Sequence, residues 1–421
     1  MEKKLPFVHK LIIYLILLQT LLVRWLINED ISSYISLVLF WIIFIFIIRK
    51  KILKVNDFIV ISLFLIVVVI NLFANGIKPR FIGSFYSQTV ANLIIIIYVL
   101  CIKNIYENEL KRFILKNLFI FLNIYFIVNI PILIKQLNYS YFMMRYIDNN
   151  PMYQDHITGL IGASGTHQLL IFWILLTVVN LFKLYNCNKL RYKLLIIFEF
   201  IFMAFISYKN DNTAFYIVFA VIVLQYMIKD LSKLKFKNIC KYSITILTIV
   251  LLAMTLYNTN KNFEDFYNDR IYSKLVAYRV IDDETKAYNG QGDERIDLYR
   301  MALEVGNGYK LGKGIGSIKS YGDLSLDKHF GMSEISLRVY EGGLIYFISL
   351  IFIFTYFLYR ILFFSKLKLG IIAFIIVFID VLILAIYTTV FRISIFSLVL
   401  SLLSCMVYYK YSDNNLNKLK E

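Results

Sequence analysis

The chain has 421 residues, of which 59% are hydrophobic and 17% aromatic; it has a mean hydropathy of +0.68 and a formal net charge of +17. That balance excludes disordered, collagen-like and ordinary soluble proteins and defines a polytopic membrane protein. The charge does not point to nucleic acid, because no basic stripe carries interleaved aromatics on which bases stack.

A membrane-crossing helix needs roughly 20 mainly apolar residues, and about 12 such runs follow one another here. The first six are Leu11–Leu26, Tyr34–Ile48, Phe58–Phe73, Thr89–Ile102, Leu118–Ile134 and Gln168–Leu184. The remainder are Leu194–Ser207, Ala214–Ile228, Ser243–Leu256, Val339–Leu358, Leu369–Ile386 and Phe391–Tyr408. Irregular backbone facing lipid forfeits its hydrogen bonds, so these runs are expected to be helices; the alternation of a membrane barrel is absent. The expected fold is therefore all-α integral membrane. "MEKKLPFVHK" precedes the first run without a small-residue cleavage site after it, which predicts an uncleaved first helix.

Lysine and arginine mark the cytoplasmic side of short loops. They gather in "RKKILK" (Arg49–Lys54), "KNIYENELKRFILK" (Lys103–Lys116), "KLYNCNKLRYK" (Lys183–Lys193) and "KDLSKLKFKNICK" (Lys229–Lys241), then in "RILFFSKLK" (Arg360–Lys368) and the tail. The intervening "INEDISS", "YKNDNT" and "YTTVFR" hold at most one base each. This alternation predicts a multi-pass protein of the cell inner (cytoplasmic) membrane with both termini cytoplasmic. The expected organisation is nine membrane helices over 1–256 with a short outer loop at 135–166, a large extracytoplasmic loop at 257–338, three more helices over 339–408 and a cytoplasmic tail at 409–421. Cys101, Cys187, Cys240 and Cys405 all fall near predicted inner ends, so neither a disulfide nor a structural metal site is expected.

The large loop is polar and mixed in charge, with Arg270, Lys274, Arg279, Arg295, Arg300 and Arg338 among a similar number of aspartates. Periodicity from Arg295 to Val305 predicts an amphipathic helix. Glycines then recur at Gly306, Gly308, Gly312, Gly314 and Gly316. "GKGIGS" lacks the G-x-x-x-x-G-K-[ST] spacing and the preceding strand of a phosphate loop, and for any single glycine a tight surface turn is the plainer reading.

The order "ERIDLYRMAL", "LGKGIGS", "SEISLRVYEGGLIYF" resembles the O-antigen polymerase (Wzy) and O-antigen ligase superfamily, in which an arginine before an aromatic, a G-x-G turn and an E-x-G helix start follow one another in the large outer loop. "GLIGASGTHQLLIFW" is similar to the family's glycine-containing helix start, with Thr166 and His167 where Pro-Asn is common. "ISYKNDNTAFYIVFA" resembles its Ser-rich hairpin, with Lys209 in place of an arginine. One departure concerns the family's His-Asn pair: the matching register holds Met332 and Ser333, and His329 lies further upstream.

The resemblance implies a GT-C-like, metal-independent glycosyltransferase without a cofactor. Its substrate is an undecaprenyl-pyrophosphate-linked oligosaccharide, whose repeat units it joins into a capsular, O-antigen or exopolysaccharide chain on the outer face of the membrane. Ligation of glycan to another acceptor is the alternative within that class. Membrane lipid, a chain-length regulator and a flippase are the implied partners. Such transfer needs cations around the leaving diphosphate, a task suited to the planar fork of arginine.

The residues named for these tasks each carry a plainer alternative. Arg295, Arg270 and Arg279 are diphosphate ligands or surface ion pairs, with Asp293 and Asp297 beside Arg295. Lys209 is a phosphate contact or a snorkelling lysine, and Arg338 a ligand or an interfacial anchor. His167 opens a helix and either faces an anion or caps it. His329, Glu334 and Glu341 are candidate catalytic groups, although Glu341 equally suits a pairing with Arg338. Glu199 and Asp380 lie inside apolar runs, where each must be paired, protonated or lining water, and they favour the rival reading of a lipid-linked oligosaccharide transporter (flippase).

Overall fold

The computed structural model describes residues 4–23, 29–139, 157–162, 165–187, 189–210, 254–268, 293–318, 333–362 and 394–406, with isolated residues between them. Among these the regular structure is helical, with no strand. The principal helices are α1 (Phe7–Leu18), α2 (Glu29–Lys50), α3 (Val55–Asn75), α4 (Ala91–Phe113) and α5 (Phe119–Asn138). They continue as α6 (Thr166–Cys187), α7 (Leu190–Lys209), α8 (Asp293–Leu303), α9 (Glu334–Leu362) and α10 (Ser394–Met406).

Four stretches among the described residues are long and apolar enough to cross a bilayer: Val55–Asn75, Phe81–Asn138, Thr166–Leu184 and Glu334–Ile361. The first has a mean hydropathy of 2.7 yet is only 22% buried within the protein. Its outer stripe of Phe58, Leu63, Ile66, Val69 and Phe73 is more than 40% exposed, an arrangement suited to lipid and costly in water. The chain is an all-α membrane protein.

α4 is the hub, and α2, α9 and α10 pack around it. Ile94 through Ile102 are all buried, as an apolar run without a polar face requires. α3 and α9 run antiparallel against each other. At the end carrying Lys51 and Lys54 they are pinned by Asp57, whose carboxylate pairs with Arg360 and accepts a 2.8 Å hydrogen bond from the Tyr356 hydroxyl.

The charged stretch Lys103–Lys116 is predicted as a connection between two spans, whereas here helical structure continues through it from Phe81 to Asn138. Opposite charges at helical spacing explain this: Lys111 pairs with Glu107 and Arg112 with Glu109, each at 2.6 Å. The direction change is local instead, at Tyr106 (φ −132°, ψ 38°) and in the π-helical turn Ile114–Leu118.

Candidate functional site

At the end of α3 and α9 opposite the Asp57 pair, irregular backbone is drawn into the helix bundle. α9 opens at Ser333, whose hydroxyl accepts the Ser336 amide at 3.1 Å. The helix then breaks at Gly343 (φ 78°, ψ 172°), a conformation open to glycine alone at little cost. A break leaves amides and carbonyls without helical partners, and here the glycine segment 306–316 supplies them. The Leu344 amide donates to Gly308 O, the Lys313 amide to Tyr340 O and the Gly314 amide to Glu341 O, all at 2.8 Å.

Glycine is required along that segment by contact as well as by torsion. Gly312, Gly314 and Gly316 all have positive φ, and a Cβ at Gly316 would lie 2.5 Å from the Phe81 nitrogen. The α3 amides complete the clamp. Asn71 donates to Leu311 O at 2.5 Å and accepts from the Ile315 amide at 3.2 Å, while Asn75 donates to Leu311 O at 3.1 Å. Gly308, Gly312, Gly314 and Gly316 are all buried, so the expected surface turn is in fact an inward-docked loop.

Beneath the loop lies an ionic cluster. Arg338 is fully buried and its Nε donates to Glu334 Oε1 at 2.5 Å, while its Nη1 reaches Gln88 Oε1 and, at 3.4 Å, Glu341 Oε2. The other Glu341 oxygen accepts the Gly316 amide at 3.1 Å, which joins the cluster to the loop. Arg338 Nη2 has no hydrogen-bond partner among the described residues. Two carboxylates thus surround one guanidinium at 0%, 2% and 0% exposure for Glu334, Glu341 and Arg338. Such a group locks geometry; it is not a bare cation open to an anion from solvent.

The structure brings Glu334, Arg338 and Glu341 together, and it replaces interfacial anchoring of Arg338 with burial. His167 and Lys209 sit elsewhere, on α6 and α7 beside the segment 157–162. That segment is also held by amide side chains: Gln136 accepts from the Thr158 and Gly159 amides at 3.0 and 2.8 Å, Asn129 from Leu160 at 2.8 Å, and Asn210 from Ile157 at 3.1 Å. His167 is half-buried in the first turn of α6, and Lys209 is exposed with its ammonium 5.6 Å from the Tyr208 ring. Arg295 falls in α8, as the periodicity predicts, although its side chain lies outside the described set. Arg270, Arg279, His329 and Asp380 also lie outside the described residues.

A second polar group lies between α5, α6 and α7. Asn123 donates to Asn180 Oδ1 at 3.0 Å, and Asn180 donates to Glu199 Oε2 at 2.6 Å. Glu199 is 2% exposed, and its Oε1 has no hydrogen-bond partner among the described residues. Among the described residues no cluster of His, Cys, Asp and Glu has the composition of a metal site.

Sequence reasoning missed Gln88, Asn71 and Asn75, which are isolated amides in or at the edge of apolar runs. It also passed over Lys78 and Arg80 in "NGIKPRFIG", although two bases in a loop on the base-poor side of the alternation were a readable signal. The fold and site define a helical membrane protein with a glycine loop docked on a broken helix over a buried ionic cluster. No family model, curated protein or solved structure matches the chain.

Proposed function

We propose that the chain is a polymerase of lipid-linked oligosaccharides: a GT-C-type, metal-independent glycosyltransferase that joins repeat units carried on undecaprenyl pyrophosphate. The work is done on the outer face of the cytoplasmic membrane, by about 12 spanning helices and the large loop between them. The observation that carries this reading is the glycine loop 306–316 docked on the α9 break over Glu334, Arg338 and Glu341. It gives a rigid, buried platform at the point where the polar loop segment enters the apolar bundle, which is where a lipid-borne headgroup and a water-soluble glycan meet.

In this reading Glu334 and Glu341 are positioning residues. Each is too buried to take a proton from a sugar hydroxyl, and Glu341 already accepts the Gly316 amide. They hold Arg338 and the glycine loop in place, while cations of the large polar segment 257–338, with Arg295, Arg270 and Arg279 as candidates, stabilise the charge that develops on the departing diphosphate. His329 remains the candidate base. Ligation to another acceptor uses the same platform and differs only in what attacks.

The test is to reconstitute the purified chain with a defined diphosphate-linked oligosaccharide, with and without chelator. A glycan ladder that forms in both arms is the expected result; folded protein that leaves the substrate as single units overturns the reading. A second reading, a transporter of the same lipid, is favoured by the Asn123–Asn180–Glu199 chain inside apolar surroundings. It predicts movement of the labelled lipid between leaflets without any new glycosidic bond.

A further inference from the structure

The glycine loop does more than close the helix break, because it lies on a second loop that the assignment above does not use. At Gly314 an added Cβ would meet the Lys78 side chain at Cε (2.6 Å) and Cγ (3.1 Å), so the Lys78 stem runs across this glycine. At Gly316 it would meet the backbone of Arg80 and Phe81. Lys313 directly precedes Gly314, and Lys310 lies in the turn whose carbonyl faces Gly343. Two loops distant in sequence, each carrying two cations, are thereby packed against each other along one rim.

Lys78 is half-buried, and Arg80, Lys310 and Lys313 are exposed. None of the four makes an ion pair among the described residues. Among the described residues, the carboxylates Glu334 and Glu341 under the loop are taken up by Arg338, and Glu304 is exposed just beyond α8. The rim sits where the apolar helix α3 ends at Asn75 and the next apolar stretch begins at Phe81, hence at the level of lipid headgroups. Cations that no carboxylate neutralises among the described residues, three of them exposed, are at that depth complementary to phosphate.

We infer that Lys78, Arg80, Lys310 and Lys313 form the binding site for the diphosphate of a lipid carrier, with the glycine loop fixing their relative positions. The inference rests on the proposed function for its ligand and differs from it in the residues, which are not the loop arginines that the resemblance nominates. Four positive charges on two packed loops suit a diphosphate ester better than the single charge of a phosphodiester headgroup. The Arg338 cluster contributes indirectly: through Glu341 and the Gly316 amide it anchors the loop that carries Lys310 and Lys313.

The test measures binding without turnover. Intact protein in phosphatidylcholine nanodiscs is titrated with a polyprenyl diphosphate bearing no sugar, and with inorganic pyrophosphate and phosphatidylglycerol as competitors. K78M/R80A and K310A/K313A are each expected to raise Kd about tenfold or more, with a reduced dependence on salt. The methionine keeps the stem that lies on Gly314, so melting temperatures are expected to hold. K189A/R191A removes two exposed cations from the opposite end of the bundle and is expected to leave Kd within about twofold.

Equal losses in the K189A/R191A control, unchanged Kd in both rim variants, or competition by phosphatidylglycerol as strong as that by pyrophosphate would each overturn the inference. Wild-type protein that binds the diphosphate through the rim yet forms no glycan ladder would refute the polymerase reading and leave the rim site standing. A ladder formed by a chain whose rim variants bind normally would do the reverse.

Discussion

Glu341 and Glu199 are both 2% exposed, yet the fold provides for them in opposite ways. Glu341 meets a guanidinium on one oxygen and a backbone amide on the other. Glu199 meets one side-chain amide on Oε2 and no hydrogen-bond partner on Oε1 among the described residues. An amide satisfies an oxygen but does not neutralise a charge, whereas the arginine does both. The first site is therefore built to hold a fixed arrangement of charge, and removing Arg338 leaves two buried carboxylates without their cation. The second site holds a group whose charge no described neighbour requires.

The largest expected effect comes from removing the cation of the first site. Arg338→Met leaves Glu334 and Glu341 buried together, a loss of about 3–5 kcal/mol for a broken buried pair. It is expected to collapse the thermal transition in detergent and the monodisperse peak in size exclusion. E334Q/R338M/E341Q removes all three charges and is expected to recover most of that loss. If the triple variant is no better than the single one, charge compensation is not what distinguishes this site.

Gly316→Ala comes next and tests the loop rather than the charges. A φ of +79° costs an L-residue about 1–2 kcal/mol, and the methyl would press on Phe81 and Arg80 backbone. A destabilisation of about 2–4 kcal/mol is expected, together with faster hydrogen exchange over 306–318 and none over α6. Asn71→Ala is milder: it leaves Leu311 O to Asn75 alone and the Ile315 amide without its acceptor, for about 1–3 kcal/mol. Exchange confined to the loop would show that the clamp is local.

These effects also mark what the sequence discloses. The helices were legible because an apolar run in a membrane has one backbone solution, and α3, α5, α6 and α9 lie on predicted runs. Within the site, Glu334, Arg338 and Glu341 were legible as neighbours, since separations of four and three place side chains together on a helix. Gln88 and Asn71 were not, because their partners lie 250 and 240 residues away and no spacing rule connects them. The α9 break was hidden for a related reason: "EGG" fits a helix start as well as an interruption, and only the docked loop supplies the hydrogen bonds that make an interruption tolerable.

The smallest expected effect is the most informative about Glu199. Glu199→Gln keeps an oxygen to accept from Asn180 and places no charge among α5, α6 and α7. Since no cation faces this carboxylate in the described hydrogen bonds and ion pairs, stability is expected to change by less than about 0.5 kcal/mol or to rise. Diphosphate-lipid binding and ladder formation are expected to persist at wild-type levels, because the Asn123–Asn180 hydrogen bonds do not depend on the charge. A glutamine variant that folds normally but loses activity would mean that the ionisable oxygen is used in turnover. The contrast with Glu341 would then be one between a fixed charge and a working one, and the transporter reading would gain at the polymerase's expense.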